Sequence, residues 1–487
     1  MELVRSLLIV APEEVLSISG LLLLLVAAWG GDKAARTISI LSVAALTVCA
    51  ILVAPALCGG AMGPDVEAFG GQYKADAFSA FAKLLVYAGA GVTLIVAPAY
   101  FDRVRAMRAE FPLLVLFAAL GMGMMVSAGD LLTLYIGLEL NSLASYVLAA
   151  FLRTDDRSAE SGLKYFVLGS LASGILLFGM SLTYGFTGTT SFEGIHLALS
   201  GSLSTGATFG IVFVLAGLAF KISAAPFHMW TPDVYEGAPT PVTTFFATAP
   251  KAAALALLMR VSLEAFGSQP GAWQQIVIFA SLLSIVIGAL GAIGQANIKR
   301  LMAYSSINNV GFMLIGLAAA TPRGASAMLV YLAIYVAMSI AGFVAILLLR
   351  DENGDAVEAI SDLAGLSKTR PMLALALAAV MFSLAGIPPL FGFWGKFVVF
   401  QAAVQANLVA LAAIGIAASV IGAFYYLKVV KVMYFDEAAD RVKGEIDLAH
   451  GVLLAASALF ISPLGYLLTK WIGTLADNAA TALFHVA

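Results

Sequence analysis

Charge is what this sequence has least of. Its 487 residues include 26 Lys and Arg and 29 Asp and Glu, so 11% are charged while 61% are hydrophobic. Soluble chains carry about 25% charged residues, because a folded domain needs a polar surface. The shortfall excludes an ordinary soluble enzyme. Cysteine is nearly absent. Cys49 and Cys58 are the only two, too few for a disulfide framework or a complete all-cysteine iron–sulfur site. The four histidines, His196, His228, His450 and His485, are scattered, which argues against a histidine metal cluster or a haem pair. GxGxxG and P-loop patterns are missing, and so is any basic tract. Neither a nucleotide fold nor nucleic-acid binding is indicated.

Long apolar runs are what the chain does have. A helix crosses a bilayer with about 20 apolar residues, and fourteen candidate spans meet that need: 11–29, 37–58, 76–99, 112–128, 130–152, 162–186, 206–228, 240–264, 273–294, 299–319, 325–349, 371–403, 406–434 and 448–472. The expected fold is an all-α polytopic membrane protein. The first apolar run follows Glu13 and Glu14 and lacks a small-residue cleavage pattern, so it reads as a membrane helix and not as a signal peptide. The longest polar segments, 351–370 and 435–447, leave no room for an extramembrane domain.

Basic loop residues mark the cytoplasmic face. With the N-terminus on one side, 15 of the 26 Lys and Arg fall in loops on the opposite side and 5 on the N-terminal side, Arg260 among them. This puts both termini outside, which an even number of spans requires.

Six lysines remain, inside or near the ends of spans: Lys83, Lys164, Lys221, Lys251, Lys396 and Lys428. A charge at the bilayer centre costs about 3 kcal/mol on insertion scales and normally faces a protein interior or a water-filled path. Snorkelling to the interface explains Lys428 and suits Lys164, each near a helix end. It fits Lys83 ambiguously. It is weak for Lys221, Lys251 and Lys396, and weak also for Glu139, which sits mid-span in LLTLYIGLELNSLASYVLAA. Three of these four sites share a second feature. Pro226 follows Lys221, Pro250 precedes Lys251, and Pro388 and Pro389 precede Lys396. Proline frees backbone carbonyls, which at membrane depth need protein or water partners. A buried lysine beside a carboxylate of variable distance is a proton switch, because burial favours the amine and the carboxylate favours the ammonium. Glu139 is a candidate carboxylate for Lys221, although spacing does not fix whether they touch. His228 is either a further link or a satisfied hydrogen-bonding residue. Asp233 and Glu236 read first as solvated loop charges and second as a proton-gathering inlet.

GLAFKISAAPFHMWTPDVYEGAPTPVTTFFATAPKAAAL at 217–255, NIKRLMAYSSINNVGFMLIG at 297–316 and SLAGIPPLFGFWGKF at 383–397 together resemble the signature regions of the antiporter-like subunits of proton-pumping NADH–quinone oxidoreductase, respiratory complex I. The resemblance runs over essentially the whole chain. SGLKYFVLGSLASGILLFGMSLTYGFTG at 161–188 is similar to the branch equivalent to mitochondrial subunit 2. The resemblance implies an N-terminal segment 1–110, two inverted five-helix repeats at 111–265 and 266–434, and a C-terminal segment 435–487. Helices 7 and 12 would be broken near Pro226 and Pro388. By motif match, Glu139 resembles the family's gating glutamate, Lys221 its partner, Lys251 the central lysine and Lys396 the lysine near the outward path. Lys164 matches a lysine of the sixth helix, and His228 belongs to the PFH motif. The resemblance implies no cofactor in this chain. FMN, iron–sulfur clusters and quinone would belong to partner subunits, among them related antiporter-like ones, in a bacterial cytoplasmic membrane. Two rival expectations are a subunit of a multi-subunit sodium/proton antiporter and a scaffold whose buried charges serve packing.

Overall fold

Residues 2–58, 65–444 and 446–484 are described by the computed structural model; His485 and the Cys58 side chain lie outside this part. Leu-, Ala- and Gly-rich runs fold into helices, and polar residues stop them. In chain order the elements are α1 (Glu2–Ile9), α2 (Ala11–Gly30), α3 (Ala35–Val53), β1 (Asp65–Ala68), β2 (Tyr73–Asp76), α4 (Ala77–Arg103), α5 (Glu110–Val126), α6 (Leu131–Ala149), α7 (Asp156–Thr187), α8 (Phe192–Leu199), α9 (Thr205–Ile222) and α10 (Trp230–Gly237). There follow α11 (Thr240–Ala247), α12 (Ala249–Arg260), α13 (Pro270–Ile293), α14 (Ile298–Ala318), α15 (Pro322–Leu347), α16 (Leu366–Thr369), α17 (Pro371–Ala385), α18 (Phe391–Gln405), α19 (Val409–Phe435), α20 (Leu448–Ile461) and α21 (Thr469–Thr481). Caps fix several starts. The side chains of Asp76, Asp130, Asp155, Ser204, Asn297, Thr321 and Asp447 each accept from a backbone N–H of the first turn, satisfying donors that apolar surroundings would leave bare.

Among the described residues ten helical stretches are long and apolar enough to cross a membrane, or eleven if Leu448–Ile461 and Pro463–Phe484, bent by 66°, make one span. The expected fourteen are therefore not all recovered as single long helices. One stretch, Ala11–Leu57, contains both α2 and α3, while α5 and α17 are shorter apolar helices. The expected span 371–403 is two helices, and the expected span 206–228 ends as helix at Ile222. The departure from an all-α chain is the β1–β2 antiparallel hairpin, which lies at the end of the bundle where α2 begins, α3 ends and α4 begins. The C-terminal segment reaches this end too, where Asn478 donates to the Leu57 carbonyl at 3.2 Å.

Burial divides the bundle into an interior and a rim. The membrane-length window of Thr240–Ala265 is 100% buried, that of α14 94% and that of α15 89%, against 39% for α7 and 39% for α19. Lys251 thus stands on the most enclosed span. Helices meet closely where side chains vanish. A Cβ added at Gly137 of α6 would lie 2.7 Å from the carbonyl oxygen of Gly121 and 2.7 Å from the nitrogen of Met125, both on α5. Small residues are how apolar helices pack without a hydrophobic drive between them.

Neither backbone can yield at that crossing, so Gly137→Val is expected to destabilise the α5–α6 pair by about 1–3 kcal/mol, the usual cost of overpacking. Gly174→Ala, on α7 with open space around it, is the control. Thermal unfolding in detergent checks both: the first variant melts earlier and the second does not.

Candidate functional site

Lys221 stands one residue from the end of α9, where the helix stops. Ser223 takes a left-handed conformation at φ 63°, and no regular helix resumes until Trp230. The freed groups find partners within α9 and on neighbouring elements. Ala224 N–H donates to the Ala219 carbonyl at 2.9 Å, Ala225 N–H to Ser284 Oγ at 2.8 Å, and the Trp230 indole to the Phe220 carbonyl at 3.0 Å. Trp230 also stacks on Tyr165 at 4.4 Å, which fixes the turn. Lys221 Nζ donates to Ser142 Oγ at 2.8 Å and to the Tyr146 hydroxyl at 3.5 Å, both on α6.

Glu139 lies on α6 three residues before Ser142, on the same face by helical period. No ion pair joins it to Lys221 among the described residues, and its Oε1 is buried without a hydrogen-bond partner. A hydroxyl thus stands beside the lysine where an ion pair was one expectation. A carboxylate oxygen in this state is costly unless water or a proton satisfies it.

Lys251, 2% exposed, reaches the same break from α12. Its Nζ donates to Ser223 Oγ at 3.0 Å and lies 5.7 Å from the centre of the Tyr235 ring. Lys396, 6% exposed, answers the second break. There α17 ends at Ala385, Gly386 turns left-handed at φ 80°, and Lys396 Nζ donates to the carbonyls of Leu384 and Ala385, each at 3.0 Å. A Cβ on Gly386 would meet Lys396 Cδ at 2.8 Å, so glycine serves both the turn and the approach of the lysine. Neither Lys251 nor Lys396 has a carboxylate partner among the described residues. Each ammonium is held by neutral oxygens that a helix end exposes.

Other expected members lie elsewhere. His228 is half-buried within the first break, with Nδ1 unpartnered. Lys164 is set apart from the buried lysines, in an ionic cluster at the loop end of the bundle, where it pairs with Asp233 and Glu160 at 2.7 Å each. Arg300 joins Asp233 at 2.6 Å and Glu236 at 2.9 Å, and Glu358 bridges Arg157 at 2.9 Å and Lys299 at 3.3 Å. Lys428 donates to the Ile293 carbonyl at 3.3 Å. Arg260, counted with outer loop residues from the sequence, is instead 0% exposed inside the end of α12, because two carboxylates surround it. Lys83 is not a snorkelling residue either; it pairs with Glu13 at 2.7 Å.

A reading confined to charge missed a neutral network. Tyr331 donates to Asn309 Oδ1 at 2.6 Å, Asn309 Nδ2 to the Tyr426 hydroxyl at 3.3 Å, and Ser305 and Tyr426 share a 2.5 Å contact. Tyr335 donates to Ser306 Oγ at 2.8 Å. The groups lie on α14, α15 and α19, and the Tyr331 ring packs against Gly395, next to Lys396. The polar run YSSINN in an otherwise apolar helix was the available signal. Among the described residues no group of three or more His, Cys, Asp or Glu is arranged to hold a metal ion.

Residues 128–422 match the family described as NADH:quinone oxidoreductase/Mrp antiporter, transmembrane. Over 484 residues the chain is 69% identical to the NADH-quinone oxidoreductase subunit N of Erythrobacter litoralis, with 99% of each covered. The chain belongs to this subunit N family. The subunit N of Rhodospirillum rubrum is 52% identical over 97% of this chain and 96% of that one. Among solved structures, a chain of respiratory complex I from Thermus thermophilus with bound aureothin is similar at TM-score 0.81 and 32% identity, covering 96% of this chain and 99% of that one. A chain of an Mrp complex from Dietzia is similar at TM-score 0.85 and 24% identity, covering 99% and 98%, a likeness of fold alone. The segment shared with the wider family contains Glu139, Lys164, Lys221, His228, Lys251 and Lys396.

The loop-end cluster carries its own pH dependence. Burial raises the Asp233 carboxyl, but Lys164 and Arg300 outweigh it and hold the group below its ordinary value. Glu358 is likewise raised by burial and held down more strongly by Lys299 and Arg157. Both groups bind protons less readily folded than unfolded, so their contribution to stability is present above the ordinary carboxylate pKa and lost as pH falls through the depressed folded values. Acidification below about pH 4 is expected to loosen 230–237 and 351–360 first, seen as faster deuterium uptake there than in α14. Equal protection of the two regions down to about pH 3 contradicts this.

Proposed function

We propose that this chain is the proton-translocating membrane subunit of a proton-pumping NADH–quinone oxidoreductase. It carries protons from the loop end, read as cytoplasmic, toward the hairpin end that holds both termini. NADH oxidation and quinone reduction take place in partner subunits, which hold the FMN, iron–sulfur clusters and quinone. The observation that carries this reading is the environment of Lys221, Lys251 and Lys396. Lys251 and Lys396 are buried and Lys221 is half-buried in an apolar bundle, each bonded to neutral hydroxyls or to carbonyls freed at a helix break, and a buried carboxylate oxygen at Glu139 stands on the face that Lys221 touches. Neutral oxygens hold an ammonium less tightly than a carboxylate does, so the lysine can lose its proton and regain it.

The same reading takes the chain as fourteen spans, with 1–110 leading, inverted repeats at 111–265 and 266–434, and 435–487 closing. One feature supports the repeats: α9 and α17 both end in a left-handed residue, Ser223 and Gly386, with a proline three residues on. His228 and Lys164 take supporting places in it, His228 within the break and Lys164 at the loop-end inlet beside Asp233. A sodium/proton antiporter subunit shares the fold, but the relatives at high identity are subunit N chains.

Lys251→Met and Lys396→Met keep apolar volume and remove the titrating group; Glu139→Gln keeps shape and removes the charge. In the complex reconstituted in liposomes, each is expected to lower the protons moved per NADH oxidised while the complex still assembles. Wild-type proton yield in all three would contradict the reading. Normal yield with poor assembly would favour the scaffold.

A further inference from the structure

A second group of buried charges lies outside the segment that matches the wider family, at the hairpin end. Glu13 of α2 is 7% exposed, Tyr73 of β2 5% and Lys83 of α4 2%. Lys83 Nζ lies 2.7 Å from Glu13 Oε1 and donates to the Tyr73 hydroxyl at 2.6 Å; that hydroxyl donates to Glu13 Oε2 at 2.5 Å. The three close a ring. Glu13 Oε1 has no partner beyond the ionic contact, and Gly123 of α5 leaves the space around it, since a Cβ there would come within 2.7 Å of that oxygen. The Tyr87 hydroxyl, near the same point, is buried and unpartnered as well.

A cavity of about 290 Å³ adjoins this ring, with Tyr73, Asp76, Ser79 and Lys83 as its polar lining and Pro12, Leu8 and Leu52 among its apolar walls. Leu8 is 63% and Leu52 46% exposed, so the mouth lies at the protein surface. The volume is large enough for several waters, whose share of liquid volume is about 30 Å³ each. The neighbouring ionic cluster differs in kind. Arg260 holds both oxygens of Asp76 at 2.8 Å and Glu264 at 2.6 Å, and Lys74 takes Glu264 at 3.1 Å. Two cations match two carboxylates there, and the set reads as a clamp between the hairpin and α12. The Glu13 ring instead has one cation for one carboxylate, with Glu13 Oε1 contacted by Lys83 alone, and presents its lysine to the cavity.

We propose that Glu13, Tyr73 and Lys83 form a second proton-exchange site, separate from the lysines at the helix breaks, which passes protons between the protein interior and the water phase at the hairpin end. The inference rests on the proton-translocating reading above. The Lys83 ammonium gives one proton to cavity water, leaving a neutral amine and hydronium. The Glu13 carboxylate takes one proton arriving from the interior. That proton crosses the 2.7 Å contact to the amine, which restores carboxylate and ammonium. One proton enters and one leaves. Tyr73 keeps its own proton, because burial and the adjacent Glu13 push its phenol far above the usual value, so it orients the pair. The other ionisable groups facing the ring are Cys49 from α3, Tyr87 from α4 and Asp76 from β2, the last occupied by Arg260; α5 contributes Gly123.

Lys83→Arg provides the test. It preserves a cation for Glu13, but a guanidinium does not deprotonate in proteins. In the complex reconstituted in liposomes, protons moved per NADH oxidised would be compared for wild type, Lys83→Arg, Glu13→Gln and Lys251→Met. The ratio is normalised to turnover, so it can be read on any assembled fraction. The expected result is a loss in Lys83→Arg and in Glu13→Gln as large as that in Lys251→Met. A purely structural pair would be rescued by arginine, so wild-type yield in Lys83→Arg beside a defective Lys251→Met overturns this inference alone. Wild-type yield in Lys251→Met overturns the function on which it rests.

Discussion

An ammonium group inside an apolar bundle must be solvated by the protein, and the backbone of an intact helix offers it no free acceptors. Every interior carbonyl of a helix is already taken by the amide four residues on. Breaking the helix frees them. In this chain the breaks after Ile222 and Ala385 supply the acceptors that Lys251 and Lys396 use, one through the hydroxyl of Ser223 and the other through two bare carbonyls. Burying a lysine costs several kcal/mol, and these contacts offset part of that cost without a fixed counter-charge. The left-handed residues, the prolines, the glycine at 386 and the tryptophan that braces the first turn all follow from this one requirement.

Four kinds of charged site coexist and differ in what solvates the charge. At the loop end, Asp233, Glu236 and Glu358 are matched by Lys164, Lys299, Arg157 and Arg300 in a half-exposed network, suited to holding loops and to meeting water. At the hairpin end, Arg260 and Lys74 with Asp76 and Glu264 form a balanced set of two cations and two carboxylates. Removing one member of such a set typically costs 3–5 kcal/mol, which fits a clamp. Between them lie Lys221, Lys251 and Lys396, bound to neutral hydroxyls and carbonyls and joined by no ion pair among the described residues. The Glu13–Tyr73–Lys83 ring is a fourth case, a single ion pair beside a cavity.

Much of this was legible in the sequence. A lysine such as Lys251, with about ten apolar residues on either side, has nowhere to go but inward, and a proline beside it marks where acceptors appear. Helix positions followed from apolar run length. What stayed hidden depends on which faces meet. Whether Glu139 touches Lys221 turns on the rotation of α6 against α9, which no spacing encodes, and Ser142 occupies the contact. Lys83 stayed ambiguous and Arg260 looked like a loop residue because Glu13 and Asp76, a partner of each, are distant in sequence, the second at the end of a hairpin that apolar runs do not reveal. The Tyr331–Asn309–Tyr426 network was hidden for a different reason: neutral polar side chains are common in membrane helices, and only their convergence distinguishes them.

The central claim is that lysines held by neutral oxygens change protonation state as the protein works. Selective isotope labelling of lysine, with spectroscopic detection of the Nζ charge state in the assembled complex, measures it directly. The account predicts that Lys251 and Lys396 alternate between amine and ammonium when NADH oxidation is started, while Lys299, beside Glu358 at 3.3 Å, stays charged. Lys251 and Lys396 fixed in one state, at rest and during turnover, would contradict it.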